Sequence, residues 1–469
     1  GLAIGCTLIP LVIANAFNIM YNVPSLEFKL QPGICIVAVG AAVLCTTGAS
    51  LWACLRTLMD TPANLMRPKS PPVGKRVFLE YIKPLWKRMS FTWKVTMRNL
   101  FRYQRRFWMT VIGIGGCTAL VVTGFGLHNS IFDILDKQFD EISVYDATVG
   151  LNEDLTAGEK RKIEAVLDGE DGVDAYLTSY QISVDTVGAD RMVSNVYLFA
   201  VEDGTEFQNF MTLRHLEDGS PAELPEEGVI ITQKLSELLD LGVGDTITLE
   251  LDNRRVTAPV EDIVENYVYH YVYLTEDYYT QLFDEEISDN VLMVRYADDS
   301  TETADRISRE LMNLSGVTSY SNISTIRDSF TDSMTSIDYA VVIIIVAAAA
   351  LAFVVLYNLT NINITERMRE LATLKVLGFY DRETSAYIYR ENIFLTLFGI
   401  ALGLVMGRFL HSWMVLTVEV DLVMFGRTAP PYAYVLAAAL TVLFSAIVNV
   451  AAHFSLKKID MVESLKTVE

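Results

Sequence analysis

The chain has 469 residues, 51% of them apolar, and a mean hydropathy of +0.30. It carries 37 Lys and Arg against 58 Asp and Glu, a net charge of −21. This composition is unusual for a soluble globular protein and indicates a membrane protein, and the acidic balance argues against a nucleic-acid partner.

Six apolar stretches are long enough to cross the hydrocarbon core of a bilayer, which takes about 20 helical residues. In chain order they are 2–20, 33–55, 108–128, 337–358, 388–415 and 432–454. We therefore expect a multi-pass α-helical membrane protein with six transmembrane helices. Its five cysteines lie in or beside these stretches, and because no CxxC pair exists we expect small buried side chains and no metal site.

The first two stretches resemble the last two. GLAIGCTLIP at 1–10 aligns with GIALGLVMGR at 399–408, and Pro32, Asp60 and Leu65 align with Pro431, Asp460 and Leu465 at a nearly constant offset. An internal repeat of this kind predicts that 1–59 is the end of a preceding unit, its last two transmembrane helices. We accordingly expect further sequence upstream of Gly1.

The charges divide the chain into two kinds of region. Residues 129–335 hold 13 Lys and Arg against 44 Asp and Glu, a net charge of −31, whereas the other residues have a net charge of +10. Much of the positive charge lies in 60–107, and basic loops of this kind remain in the cytoplasm. We therefore predict that 60–107 is a cytoplasmic linker with an amphipathic helix and that 129–335 is an acidic extracytoplasmic domain.

The remaining topology follows by alternation across the membrane. The acidic domain is flanked by transmembrane helices at 108–128 and 336–358, and 359–387 returns to the cytoplasm. Two more transmembrane helices with a short external loop occupy 388–455, and the tail 456–469 is cytoplasmic.

The extracytoplasmic domain has the sequence pattern of a mixed α/β (α+β) fold. In 227–251, a β-branched run precedes an amphipathic helix from about Gln233 to Leu239, and a Gly-rich turn leads into another strand. In 290–320, a strand precedes a helix that begins near Ser300, runs through Leu314 and stops at Gly316, before a further strand. We interpret both segments as βαβ-type units.

Four tyrosines, Tyr267, Tyr269, Tyr271 and Tyr273, alternate within 265–283 and predict a strand with one aromatic face. Two interpretations are open: a packing face in the interior, or a surface that contacts a substrate, since tyrosine suits sites with one apolar and one wet end. His270 falls on the opposite face of this strand, and with no Cys or His nearby we expect a hydrogen-bonded or solvated histidine.

Glycines recur inside two of the predicted membrane helices. Gly113, Gly115 and Gly116 lie in one, and Gly399, Gly403 and Gly407 lie four residues apart in another. Small residues on one helix face allow two helices to approach closely in a membrane, so we interpret both sets as packing positions. Phosphate-loop, HExxH, GxSxG and GxGxxG signatures are missing from the sequence, so we expect no enzyme activity.

The cytoplasmic segment 359–387 contains a short amphipathic helix. Ile364, Met368, Leu371 and Leu374 gather on its apolar side, opposite Glu366, Arg369, Glu370 and Thr373. Gly378 is a typical helix stop. Such a helix suits contact with a cytoplasmic partner, and the alternative is an interfacial anchor without a partner.

At these residues the chain resembles the FtsX-like permease family, the membrane subunits of ABC transporters of the MacB, lipoprotein-releasing and bacitracin-resistance types. The resemblance lies in ERMRELATLKVLGF at 366–379, ENIFLTLFGIALGLVMG at 391–407 and the basic approach TWKVTMRNLFRYQRRFWMT at 92–110. It extends to the layout of one span, a large external domain and three further spans.

The resemblance implies that 359–387 is a coupling helix that docks on a separate cytoplasmic ABC ATPase. The implied contact residues are Glu366, Arg367, Arg369, Glu370, Leu371, Leu374, Lys375 and Gly378. It further implies a location in the bacterial cell membrane among membrane lipids, ATP bound on the partner with no cofactor on this chain, and a second permease unit or a homodimer.

The expected function is to transmit ATP-driven motion to the extracytoplasmic domain, for efflux, extraction or resistance involving peptides or lipophilic substrates. The alternative is a membrane signalling or scaffold protein that regulates a cell-wall hydrolase or senses a peptide without transporting it.

Overall fold

The computed structural model describes residues 32–59, 87, 91–102, 104–152, 154–170, 172–188, 191–252, 254–298, 300–366, 376, 378 and 380–457. The chain divides into two compact units. The membrane unit comprises Gly1–Gly126, Ser336–His411 and Ala429–Glu469, and the domain unit comprises Leu127–Thr335 and Ser412–Thr428.

The helices are α1 Pro32–Leu58, α2 Phe91–Arg102, α3 Gln104–Asp136, α4 Ala157–Gly169, α5 Gly204–Phe207, α6 Gln233–Leu239, α7 Glu276–Phe283, α8 Thr301–Met312, α9 Ile323–Glu366, α10 Asp381–Val418 and α11 Pro431–Lys457, with a π-helical turn Lys137–Ile142 after α3. The strands are β1 Ala147–Leu151, β2 Val173–Val187, β3 Met192–Val201, β4 Val229–Thr232, β5 Thr246–Leu251, β6 Arg254–Val264, β7 Tyr271–Thr275, β8 Val291–Tyr296 and β9 Val317–Asn322.

Five helices in the described part of the chain are long and apolar enough to cross a membrane. Their candidate spans are Cys35–Leu55, Phe107–Ile142, Val341–Ile362, Tyr389–Val418 and Pro431–Ala451. The structure thus has the multi-pass helical architecture with a large mixed α/β domain that the sequence predicts. It describes five spans where the sequence predicts six, because the predicted first span, 2–20, lies outside the described residues.

Helices α3 and α10 of the membrane unit meet along the predicted glycine positions. A Cβ atom added at Gly403 would lie 2.6 Å from the Cβ atom of Thr118 and 2.7 Å from the carbonyl oxygen of Gly115. Comparable additions at Gly399 and Gly407 would lie 2.6 Å from Ile114 and 2.8 Å from Val122. The glycines therefore allow a backbone approach that larger residues would prevent, as predicted.

Six strands of the domain unit close into a barrel in the order β3-β7-β4-β6-β5-β2, with β2 pairing back to β3. The long strand β2 leaves the barrel at its N-terminal half, where it pairs with β8 and extends the sheet through β1 to the edge strand β9. The barrel and this four-stranded extension have separate hydrophobic cores.

The local elements follow the predicted patterns, with one topological difference. Helix α6 has the predicted limits Gln233–Leu239, and Ser300 caps α8 by accepting a hydrogen bond from the Thr303 backbone amide. Strands β8 and β9 both pair antiparallel with β1 and are thus parallel to one another. The expectation of a βαβ-type unit is wrong for β4-α6-β5, because β4 is parallel to β6 and β5 antiparallel to it.

Candidate functional site: the junction of two stems and a strap

Three segments of the domain unit are continuous in sequence with membrane helices. The first stem, 127–142, contains the end of α3 and the π-helical turn, and the second stem, 323–335, is the start of α9. The strap, 412–428, contains the end of α10 and the loop towards α11. All three contact the segment 265–270 between β6 and β7, which we call the junction segment.

The first stem holds the junction segment through Gln138. Its side-chain oxygen accepts hydrogen bonds from the backbone amides of Tyr267, at 2.8 Å, and Val268, at 3.1 Å. Gln138 is only 3% exposed. Since unsatisfied buried amides are costly, this paired acceptor fixes the path of the junction segment against the stem.

Tyr267 extends the contact into a buried polar network. Its hydroxyl donates to the carboxylate of Glu265 and accepts a hydrogen bond of 3.0 Å from Lys137 Nζ on the first stem. Glu265 in turn accepts from Arg214 Nε at 2.6 Å. Burial, with the nearby Glu265 carboxylate, raises the pKa of Tyr267 far above its ordinary range, so the hydroxyl stays protonated.

The second stem contacts the first stem and the junction segment by different chemistry. The guanidinium of Arg327 forms ion pairs with Asp136 and Asp140 at the end of the first stem. One turn away, the ring of Phe330 lies 6.0 Å from the ring of Phe139 and 6.1 Å from that of Tyr269, measured between centroids. The two stems are therefore held side by side next to the junction segment.

The strap contacts the junction segment through its backbone. The amide of Tyr269 donates to the Leu422 carbonyl at 2.9 Å, and the amide of Met424 donates to the Tyr267 carbonyl at 2.8 Å. Tyr269 has a φ of +62°, which turns the chain so that Val268 can form a β-bridge with Val423. A tyrosine with positive φ is strained, and the strap and stem contacts stabilise this conformation.

The strap is further anchored by a buried carboxylate. Glu419, whose side chain is 1% exposed, pairs with Lys234 on α6 and with Arg427 at 3.4 Å. Its other oxygen accepts a hydrogen bond of 2.6 Å from the Phe425 amide. A buried charge is tolerated only when it is paired and hydrogen-bonded, so these contacts hold the strap in one position against the rest of the domain unit.

His270 lies next to this anchor and differs from expectation. It is 1% exposed, and its ring, which makes no hydrogen bond of ordinary geometry with the described residues, interacts with the backbone of Asp421 on the strap. The expectation of a solvated histidine is therefore wrong. Burial, with the positive charge of Lys234 acting in the same direction, lowers the pKa of His270 to about 4, so the ring is neutral at physiological pH.

The four predicted tyrosines separate into two pairs. Strand β7 begins only at Tyr271, so the expected strand through Tyr267 and Tyr269 is wrong, because the positive φ at Tyr269 breaks the extended run. Tyr271 and Tyr273 stack on one another at 5.8 Å. With the β3 residues Tyr197 and Phe199 they form an aromatic row, and burial raises the pKa of both β7 tyrosines well above the ordinary value.

The predicted coupling segment falls largely beyond what the structure describes. Helix α9 ends at Glu366, whereas Arg367, Arg369, Glu370, Leu371, Leu374 and Lys375 lie outside the described residues. Gly378 is exposed with a φ of +94°, the conformation expected of a helix stop. The docking roles of these residues remain predictions. Among the described residues, no cluster of His, Cys, Asp and Glu could hold a metal ion.

Sequence reasoning missed the residues that build the junction. Gln138, Arg327 and Glu419 come from three distant parts of the chain, and no local pattern links them. One signal was available for the strap: VEVDLVMFGR at 418–427 places apolar residues in an external loop, and Val423, Met424 and Phe425 are indeed buried. Loops exposed to water do not usually carry such a run.

Two family descriptions match the chain. Residues 108–311 match the MacB-like periplasmic core domain, and residues 342–459 match the FtsX-like permease C-terminal region. Together with the candidate spans, these matches define an ABC transporter permease, a multi-pass protein of the cell membrane. The chain belongs to the FtsX-like permease family and carries a MacB-like periplasmic core domain.

Two solved structures are similar to parts of the chain. The periplasmic region of MacB from Actinobacillus actinomycetemcomitans has 12% identity and a TM-score of 0.27, covering 42% of this chain and 97% of that one. The extracellular domain of the noncanonic ABC-type transporter YknZ from Gram-positive bacteria has 14% identity and a TM-score of 0.25, covering 38% and 98%. Both scores are below 0.5, so the assignment rests on the family matches. Among curated proteins, none matches this chain.

Proposed function

We propose that this chain is the membrane subunit of an ABC transporter in which ATP hydrolysis on a separate cytoplasmic subunit moves the extracytoplasmic domain. The cytoplasmic segment 359–387 receives the motion, and the membrane helices pass it to the two stems and the strap. The chain itself hydrolyses no ATP and needs no cofactor of its own.

The observation that supports this proposal best is the convergence of both stems and the strap on the junction segment. Gln138 joins the first stem to it, Phe330 joins the second, and the Leu422 carbonyl joins the strap. Strand β7 follows the junction segment directly. A displacement of either stem or of the strap should therefore move β7 as well. Packed elements transmit displacement because protein interiors have low compressibility.

The nature of the membrane helices favours transmission over conduction through a polar pore. The spans Val341–Ile362 and Pro431–Ala451 contain no Asp, Glu, Lys or Arg, and Arg390, Glu391 and Arg408 are the charged residues of Tyr389–Val418. Polar pathways in membranes are marked by ionisable residues. We therefore propose that substrates, peptides or lipophilic compounds, are extracted or exported by movements of the external domain.

The test is hydrogen–deuterium exchange of the full chain with its co-purifying ATPase in lipid nanodiscs. Exchange in 265–275 is compared with and without a non-hydrolysable ATP analogue, in the parent and in Arg327→Glu. The variant opposes a carboxylate to Asp136 and Asp140, so we expect it to keep ATP turnover within about twofold while losing most of the nucleotide-dependent change in exchange.

The matched control is Arg309→Glu, which reverses an exposed arginine on α8 outside the stems. It should behave like the parent. A parent in which nucleotide changes exchange nowhere in the domain unit, or an Arg327→Glu complex that responds fully, would overturn the proposal.

A further inference from the structure

An open groove of about 280 Å³ lies in the domain unit, away from the stems and the strap. Helix α4 forms one wall, and the loop 287–289 after α7 forms the other. Its floor is apolar and consists of core residues, namely Leu151, Ile163, Leu167 and Leu292. The volume is near the lower end of the ~300–1,000 Å³ typical of small-molecule sites, so it suits a small ligand or one end of a larger one.

The polar groups around this floor are unbalanced in charge. Three carboxylates line the groove, those of Glu164, Glu276 and Asp289, against the single ammonium of Lys160. Lys160 Nζ lies 3.6 Å from Asp289 Oδ2 and forms an ion pair with that carboxylate. Among the described residues, neither Glu164 nor Glu276 forms a side-chain hydrogen bond or ion pair, and Lys160, which is paired with Asp289, attracts Glu276 only from a distance.

Glu276 is the more informative of the two. It is the first residue of α7, where the helix N-terminus would ordinarily favour a carboxylate. Partial burial nevertheless raises its pKa, with Asp289 and Glu202 acting in the same direction. A cation in the groove would relieve this repulsion, since an opposite charge favours the ionised carboxyl group.

We propose that this groove binds an organic cation, a molecule with one ammonium group on an apolar chain or ring. The ammonium group lies between the carboxylates of Glu164 and Glu276, and the apolar part covers Leu151 and Leu292. The apolar floor of the groove contacts the apolar part of the ligand, and the two carboxylates select for its positive charge. An uncharged or anionic molecule of the same shape leaves both carboxylates unpaired. That such cations are the transported substrates rests on the proposed transport function. That the groove binds them does not depend on it.

The experiment measures binding of 4-phenylbutylamine to the full chain in lipid nanodiscs by saturation-transfer NMR, without ATPase or nucleotide. 4-Phenylbutanol and 4-phenylbutyrate serve as neutral and anionic probes of nearly equal shape. The amine should bind the parent at least tenfold more tightly than the alcohol. Glu276→Gln should weaken amine binding by about tenfold, since one charge-assisted contact is lost, and leave the alcohol unchanged.

Two further variants keep the test independent of folding. Ser288→Trp places a bulky ring at the exposed rim of the groove and should reduce binding of the amine and the alcohol alike. Glu285→Gln makes the same chemical change as Glu276→Gln at an exposed position outside the groove and should have no effect. Each variant is first shown to unfold at the temperature of the parent.

Equal affinity of the parent for amine and alcohol would overturn the proposal, as would amine binding that Glu276→Gln and Ser288→Trp leave intact. Partition of a given probe into lipid is common to the parent and all variants and cancels when they are compared, and each probe's binding to empty nanodiscs is subtracted before the probes are compared. If nucleotide changes no exchange in the domain unit while the amine still binds, the proposed transport function is refuted and the binding site is not.

Discussion

The interiors of the two units are built by opposite means. In the domain unit, large apolar side chains such as Ile231, Leu235 and Phe283 fill the barrel, and transfer of their surface out of water stabilises the fold. In the membrane unit, α3 and α10 approach each other at Gly115 and Gly403, where side chains are absent. Lipid is as apolar as the side chains, so burial alone gives no driving force there and close packing must supply it.

The comparison also extends to polar groups. The described helices of the membrane unit share hydroxyl and amide contacts, such as Thr118 to Thr441 at 3.1 Å and Asn392 to Asn449 at 2.8 Å. The domain unit additionally holds its strap by a buried charge that is paired with two cations, as at Glu419. The two units should therefore fail under different substitutions: the domain when a charge loses its partner, and the membrane helices when a glycine gains a side chain.

The largest effect is expected at the buried charge of the strap. Glu419→Ala leaves Lys234 and Arg427 without their shared carboxylate, and breaking a buried ion pair of this kind costs about 3–5 kcal/mol. Thermal unfolding of the domain should report this loss. The surface pair of Arg255 with Glu250 is the matched control, and Glu250→Ala should cost about 0–1 kcal/mol. Equal losses in both variants would show that the strap is not anchored by charge.

The next effect concerns His270 and acid. Its pKa is about 4 in the folded chain and roughly 6.5 when unfolded, so the folded pKa is depressed. The stability it contributes is present above pH 6.5 and is lost as the pH falls through about 4, with a total on the order of 3 kcal/mol. Compared with His270→Phe, the parent should lose that much more stability between pH 7 and pH 4 in denaturant titrations.

His215 provides a contrast of opposite sign within the same unit. A hydrogen bond with Asp262 raises the pKa of His215. Its stabilising effect is therefore present below pH 6.5 and is lost as the pH rises through the raised value. The side chain is partly exposed, so the effect should be smaller than that of His270.

An acid response of His270→Phe equal to that of the parent would contradict the assignment of a neutral, buried ring.

A further substitution separates close helix packing from simple membrane insertion. Gly403→Leu should destabilise the membrane unit by about 1–3 kcal/mol, because the new side chain collides with Thr118 and the Gly115 backbone. Gly40→Leu in α1 is the control, since a Cβ atom there meets nothing within 4 Å. The fraction of monodisperse protein after a thermal challenge measures the difference. Equal behaviour of the two variants would mean that the α3–α10 contact carries no stability.

The sequence predicts the parts of this architecture that depend on local patterns. Apolar run length gives the described spans, four-residue glycine spacing gives the α3–α10 contact, and Ser300 gives the start of α8, which ends at Met312, before the predicted Leu314. These features depend on residues close together in the chain, where propensity and capping act directly.

The junction could not be predicted for the opposite reason. Its contacts join Gln138, Tyr267, Phe330 and Leu422, which are far apart in the chain, and a backbone hydrogen bond such as that from Tyr269 to Leu422 depends on no particular side chain. The alternation of tyrosines favours a strand, but the tertiary contacts of the strap outweigh that preference by holding Tyr269 at positive φ. The pairing of β4 and β5 with β6 was likewise set by long-range contacts.

The central claim, that this chain receives motion from a cytoplasmic ATPase, is tested most directly at Glu370. Removing one partner of a charged contact that is shielded from water at an interface costs about 2–5 kcal/mol of binding free energy. Glu370→Arg should therefore leave the chain inserted and folded but sharply lower the yield of the ATPase complex or its ATP turnover. Leu371→Asp, on the predicted apolar side, should impair folding instead.

An interfacial anchor gives a different result, because added positive charge suits an anionic inner leaflet and Glu370→Arg would then be silent or favourable. The decisive measurement is complex yield and ATP turnover of the parent, Glu370→Arg and Leu371→Asp, purified side by side. A well-folded Glu370→Arg chain that has lost its ATPase is the result expected here. An unaltered complex with full turnover would contradict the coupling role of this helix.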